Sequence, residues 1–376
     1  MSLNIVIFGL SITSSWGNGH ATTYRALSKG LQQRGHTVTF LERDVPWYRA
    51  HRDLPHPPYC RTELYGDLRE VSARYTRLVS SADLVMIGSY VPNGALLADW
   101  ITMHAKGVTA FYDIDTPITL ARLEEGNAEY ITAALIPRFD LYLSFTGGPA
   151  LELIERLYGS PRARAFCCSV DPDLHRPEAA PLRWSLGYLG TYCGDRQEKL
   201  SRLLIEPARR LSDSRFAVAG ARYPGDIAWP ANVERIEHVP PGVHSAFYCA
   251  QRYTLNITRA DMVDAGFSPS VRLFEAAACG VPVISDRWPG LDSIFKLGEE
   301  ILIADRPEDV MGILQDIPEQ RRLEVAAAAR KRVLGGHTAQ QRARQLELYI
   351  EEVGRRSAVR VPAGLDSRRA RIDATA

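Results

Sequence analysis

The chain has 376 residues and a formal net charge of +1, with 45% hydrophobic and 24% charged residues. That balance excludes a chain too polar to build a core, and it gives no general attraction to nucleic acid or another polyanion. The length suits two domains.

The first residues, MSLNIVIFGLSI, lack a basic leader and read as a buried strand; no apolar run reaches membrane-spanning length. Short apolar runs then alternate with helical patterns, which predicts parallel α/β architecture. In the first half, strands are expected at 4–10, 37–42, 84–88, 108–113, 141–145 and 163–168, with helices such as 20–34 and 93–106 between them. The first strand opens into SITSSWGNGHATTYRAL, where Gly17 and Gly19 permit close backbone approach and Asn18 favours a turn. GNGHAT lacks the third glycine of a dinucleotide fingerprint. Ser89, Tyr90 and Asn93 follow another strand end and can meet a substrate there. In FYDIDTPITL, Asp113 and Asp115 fall at the carboxyl end of a strand, where open α/β sheets hold ligands. Alternation would point both to one side, leaving acceptor binding or proton removal, helix capping and cation binding all open.

VDPDLHRPEAAPL, residues 170–182, reads as an interdomain linker. A second cycle follows, with strands expected at 186–190, 216–219, 233–238, 254–257, 281–285 and 301–304. After the first of these, Gly190 and Thr191 let backbone approach a phosphate, while Arg196 and Lys199 can neutralise it or lie on a solvated helix face. SPSVRLFEAAACGVPVISD, residues 268–286, predicts a loop, a helix over 270–279 and a buried strand. Free N–H groups at the helix start, with Ser268, Ser270 and Arg272, suit a diphosphate, and Glu275 one turn on suits sugar or ribose hydroxyls. Helices are expected at 307–315, 319–334 and 338–354, and the basic tail 355–376 is expected to be disordered. Six cysteines without a CxxC pair or zinc spacing suit a reduced, cytoplasmic protein.

The segment FEAAACGVPVI, with LGTY and the early GNGH loop, closely resembles glycosyltransferases of the GT-B fold, most of all the CgeB-like group. The resemblance covers roughly residues 3–353. It implies two Rossmann-like doubly wound domains facing across a cleft: 1–175 for the acceptor, and 183–337 for a nucleotide-sugar donor. The helix 338–354 would pack back on the first domain. It also implies that Glu275 binds ribose, that Gly190, Thr191, Arg196, Lys199, Ser268, Ser270 and Arg272 hold the diphosphate, and that His238 and Val239 seat the base. Gly17, Asn18 and Gly19 would form the acceptor loop, with His20, Asp113 or Asp115 removing the acceptor proton. No metal and no cofactor beyond the donor substrate is implied. The acceptor is an unspecified hydroxyl compound. An epimerase or hydrolase of the same fold, or a binding protein without turnover, shares the same donor half. The sequence departs from one familiar pattern: Phe267 stands eight positions before Glu275, where many retaining members carry a second glutamate.

Overall fold

The computed structural model describes residues 2–17 and 19–359, the last five by backbone alone. Two parallel sheets organise it. The first contains β1 (Asn4–Gly9), β2 (Thr37–Arg43), β3 (Arg61–Tyr65), β4 (Leu84–Gly88), β5 (Val108–Asp113), β6 (Leu141–Ser144) and β7 (Ala163–Ala165), in the order β3-β2-β1-β4-β5-β6-β7. The second contains β8 (Trp184–Leu189), β9 (Phe216–Ala219), β10 (Val233–Ile236), β11 (Gln251–Asn256), β12 (Val283–Ser285) and β13 (Leu302–Ile303), in the order β10-β9-β8-β11-β12-β13. Both are doubly wound, as expected.

The central strands are apolar throughout because both faces are covered. Val6 and Phe8 of β1 enter one core, whereas Ile5 and Ile7 enter the core on the opposite face. Strand order reverses beside β1 and beside β8. The loops leaving those strands therefore open into crevices at the carboxyl edge of each sheet. These are the Gly17–Gly19 loop and the Gly190–Thr191 loop.

Strand β3 was not expected. Its sequence, RTELY, is polar and short, and it sits at a sheet edge where only β2 pairs with it. Edge strands need little apolar surface, so pairing rather than composition creates this one.

The helix Ala339–Val359 extends beyond the expected end at Gly354 and packs against the helix His20–Gln33. Ala343 and Leu346 join Tyr24, Leu27 and Leu31 in one core, and Glu347 bonds Arg34 and His36, each at 2.6 Å. Residues 360–376 of the expected tail lie outside the described residues. Among the described residues, no helix is long and apolar enough to cross a membrane.

Candidate functional site

A cavity of about 410 Å³ lies between the two sheets and receives loops from both. On one wall, the helix Val271–Ala278 points its amino end into the space, with Ser268, Pro269, Ser270, Val271 and Arg272 at the surface. Ser270 is the N-cap residue but makes no capping bond; its hydroxyl donates to Asn256 Oδ1 at 2.7 Å. The first turn thus presents backbone N–H groups that no side chain caps, a favourable setting for an anion.

Three arginines border this opening. Arg196 Nη2 donates to the Thr191 carbonyl at 3.0 Å, and its buried Nε has no hydrogen-bond partner among the described residues. Arg272 is buried, donating to Leu189 O at 2.6 Å and Asn256 Oδ1 at 2.8 Å while its guanidinium lies 4.6 Å from the Tyr188 ring centroid. It is therefore partly a structural clamp between β8 and β11. Arg259, which the sequence did not single out, also lines the cavity and pairs with Asp195 at 3.3 Å.

Lys199 is placed differently from the expectation. It does not line the cavity; its ammonium lies 2.6 Å from Asp286 Oδ2. Asp286 in turn accepts the Thr258 N–H at 3.1 Å and its hydroxyl at 2.9 Å. The lysine thus steadies the turn that carries Arg259. A helix position read from sequence fixes neither which way a long side chain turns nor which acid it finds.

Glu275 reaches the cavity from within the helix and is almost fully buried. Its Oε2 accepts the Tyr248 hydroxyl at 2.9 Å, and His175 and His244 lie 3.4 and 3.7 Å from the carboxylate. Burial alone would raise its pKa. The neighbouring His175 and His244 rings and the Tyr248 hydroxyl outweigh this and hold it below the ordinary carboxylate range. Gly190, Thr191, His238 and Val239 complete this side, with Trp16 of the first domain meeting the His238 ring edge-on at 5.2 Å.

Across the cavity, Gly17, Gly19 and His20 line the wall, whereas Asn18 lies outside the described residues. Their loop is held from behind. Glu42 accepts the Ile12 and Thr13 N–H groups at 2.7 and 3.0 Å, and Asp53 accepts the Ser15 N–H at 2.8 Å. His20 is buried with Nδ1 lacking a hydrogen-bond partner among the described residues. Burial lowers its pKa and Asp115 partly opposes this, so the ring favours the neutral form.

Asp113 and Asp115 separate. Strand β5 ends at Asp113, so strand alternation does not extend to Asp115. Asp115 lines the cavity and, although it is the N-cap residue of the helix Thr116–Glu124, makes no capping bond. Asp113 is sealed beneath, accepting from Thr119 at 2.7 Å and Tyr142 at 2.5 Å. Proton removal by Asp113, or a two-carboxylate cation clamp, is therefore not what this arrangement offers. Burial raises the Asp113 pKa to about 6. Its ionisation thus opposes folding, and stability from this group falls as pH rises through 6. Asp113→Asn is expected to leave turnover near normal. Its stability should compare better with the unaltered protein at pH 7.5 than at pH 4.5, as read by thermal unfolding.

Ser89, Tyr90 and Asn93 do not line the cavity either. Ser89 Oγ accepts the Ile114 N–H at 3.1 Å, Tyr90 packs its ring against His20 and Tyr130, and Asn93 borders a separate small hollow with Arg43 and Asp67. Both Tyr90 and Asn93 take positive φ, an uncommon backbone conformation for residues other than glycine.

Phe267 also has a structural task. Its carbonyl accepts Gly147 N–H at 3.0 Å and its own N–H donates to Pro289 O at 2.7 Å. A Cβ on Gly148 or Gly290 would come within 2.4 Å of its ring, so these glycines make room for it. Next to it, Ser268 and Thr146 hydroxyls meet at 2.5 Å, joining the donor-side loop to the first domain.

Residues 196–347 match a family described as "Glycosyl transferase-like". No curated protein matches the chain by sequence. Solved structures do match by fold. Sucrose-phosphate synthase from Thermosynechococcus elongatus is 13% identical with a TM-score of 0.67, covering 94% of this chain and 100% of its own. Anabaena HepE in complex with UDP-glucose is 12% identical with a TM-score of 0.66, covering 93% and 100%. An alpha-glucosyltransferase in complex with UDP-glucose and DNA is 12% identical with a TM-score of 0.70, again covering 93% and 100%. Residues 196–347 are thus similar to a glycosyl transferase-like family, and the chain as a whole has the GT-B fold.

Proposed function

We propose that this protein is a glycosyltransferase that moves a sugar from a nucleoside-diphosphate donor to a hydroxyl acceptor without a metal. The observation that carries the reading is the uncapped start of the helix Val271–Ala278, ringed by Arg196, Arg259 and Arg272, with Glu275 beyond it and His20 and Asp115 facing it. A departing nucleoside diphosphate gains charge at its bridging oxygen. Fixed N–H dipoles and guanidinium groups stabilise that charge without reorganising. Glu275 then accepts ribose hydroxyls, and the backbone at His238 and Val239 receives the base. UDP is the first donor nucleotide to test because the matched HepE and alpha-glucosyltransferase structures contain UDP-glucose.

In this reading residues 1–175 present the acceptor, residues 183–337 hold the donor, and the terminal helix ties back to the first domain. We assign the chain to the CgeB-like group on SPSVRLFEAAACG, LGTY and GNGH, and to the cytoplasm on its cysteine pattern. Neutral His20 suits acceptance of the hydroxyl proton, and Asp115 can orient or share it. Because burial lowers the His20 pKa, the acid limb of the activity profile should lie below the ordinary imidazole range. His20→Ala should remove that limb and reduce kcat more than donor affinity; a profile identical to the unaltered protein would exclude His20 as base.

Thermal unfolding with nucleoside diphosphates, followed by assay of UDP-sugars with and without hydroxyl acceptors, tests the whole reading. Stabilisation by UDP and acceptor-dependent UDP release are expected. Turnover without any acceptor would favour an epimerase or hydrolase, and binding without turnover a sugar-nucleotide-binding protein. No stabilisation by any nucleoside diphosphate would overturn the donor site.

A further inference from the structure

Two histidines flank Glu275, and the donor reading so far gives them no role. His175 comes from the segment joining the two sheets. It is 1% exposed, and its Nε2 lies 3.4 Å from Glu275 Oε1. Neither of its ring nitrogens has a hydrogen-bond partner among the described residues. His244 begins the helix His244–Cys249; its Nδ1 lies 3.7 Å from Oε2, and its Nε2 is 3.1 Å from the Val239 carbonyl. The two rings are 6.1 Å apart at a 47° angle, so they flank the carboxylate rather than stack on each other.

Leaving a buried polar ring without a hydrogen bond costs about 1–3 kcal/mol. An apolar ring would fill the same space without that cost. Burial lowers the His175 pKa and holds the ring neutral, so the imidazole at position 175 makes sense as a polar neighbour placed at Glu275 Oε1 more than through packing. A carboxylate with an imidazole at one oxygen, and an imidazole and a phenol at the other, has little freedom to rotate.

The backbone around His175 is tied to both domains. Ser245 donates to Leu174 O at 2.7 Å and accepts the Arg176 N–H at 3.2 Å, which fixes the segment to the donor side. Lys29, on the first domain's helix His20–Gln33, reaches Asp171 at 2.8 Å and Asp173 at 2.7 Å. The His175 N–H bonds Asp171 O at 2.8 Å, which links that anchor to the ring.

We infer that His175 and His244 are positioning residues that aim the Glu275 carboxylate at the nucleotide ribose, and that His175 makes ribose recognition depend on how the joining segment is seated between the domains. This rests on the donor reading above. It adds a contribution to that site from outside the glycosyl transferase-like region, since His175 and Lys29 precede residue 196.

The test compares affinities of the full chain for UDP and 2′-deoxy-UDP by titration calorimetry. The unaltered protein should prefer UDP. His175→Phe and His244→Phe keep a ring but lose its nitrogens, and each should lower that preference by about tenfold, chiefly through weaker UDP binding. His175→Gln should recover part of it, and Lys29→Ala should lower it by a smaller factor. Equal weakening of both nucleotides, or no change, would overturn positioning and leave the rings a structural role. An unchanged preference in Lys29→Ala beside a reduced one in His175→Phe would overturn the link to the joining segment. Should His175→Phe fail to fold, His244→Phe tests positioning, and Lys29→Ala tests the link. No preference in the unaltered protein would defeat the ribose assignment of Glu275 itself. Zinc that displaces UDP from the unaltered protein but not from His175→Phe would show a metal site and overturn the inference.

Discussion

Glu275→Gln is expected to weaken UDP binding by about 10- to 100-fold, the value of a charge-assisted hydrogen-bond pair to ribose. Titration calorimetry reads this directly, and unchanged affinity would sink the ribose assignment. The replacement must be glutamine for a structural reason. Glu275→Ala would open a void among His175, His244 and Tyr248 and leave the buried Tyr248 hydroxyl without its acceptor, which costs about 1–3 kcal/mol beyond the cavity itself, whereas glutamine keeps the volume and an accepting oxygen. An alanine variant should therefore unfold at markedly lower temperature, so its lost binding would not separate recognition from folding. The depressed pKa adds a pH signature. A carboxylate whose folded pKa is lowered stabilises the protein above its ordinary pKa, and this is lost as pH falls below about 4. Glu275→Gln should lack this component of acid unfolding.

Arg196→Ala is expected to reduce turnover by about 100-fold or more while leaving the unfolding temperature within a few degrees. The reason lies in where the guanidinium sits. It makes one bond to the Thr191 carbonyl, its Nε is unengaged among the described residues, and it lines the cavity beside the uncapped helix start. Its removal therefore subtracts positive charge from the leaving group more than it subtracts structure. Arg272→Ala gives the contrasting case, because that side chain spans from β8 to β11 and should cost folding and turnover together. Steady-state kinetics beside thermal unfolding separates the two; full activity of Arg196→Ala would exclude it from the diphosphate site.

Much of the fold was legible because parallel strands buried on both faces are continuous apolar runs. FGL after NIVI, LVMIG, VISD and their neighbours each appear as strands near the expected positions. Strand β3 was hidden because its polar RTELY sequence depends on pairing with β2. The site was legible where a residue type and a backbone turn carry the chemistry together. Gly19 with His20, Gly190 with Thr191, and Ser268, Ser270, Arg272 and Glu275 all reach one cavity. It failed where the outcome depends on the direction of a side chain: Asp113 turns inward, Lys199 turns to Asp286, and Asn93 turns to a different hollow.

Phe267 and the opening motif show the same division. Sequence alone determined that a helix start with free N–H groups follows a serine- and proline-bearing loop, and that a carboxylate stands one turn along it, because local spacing sets both. It also determined that no second carboxylate precedes them at position 267. Only the tertiary structure decided what these features face. Burial placed Glu275 between two distant histidines, ring packing turned Phe267 into a wedge between Gly148 and Gly290, and Arg259 came to the cleft from a strand end with no motif of its own. Chain neighbours are fixed by the covalent backbone, whereas a charge's partners are set by contacts that close only when both sheets have formed.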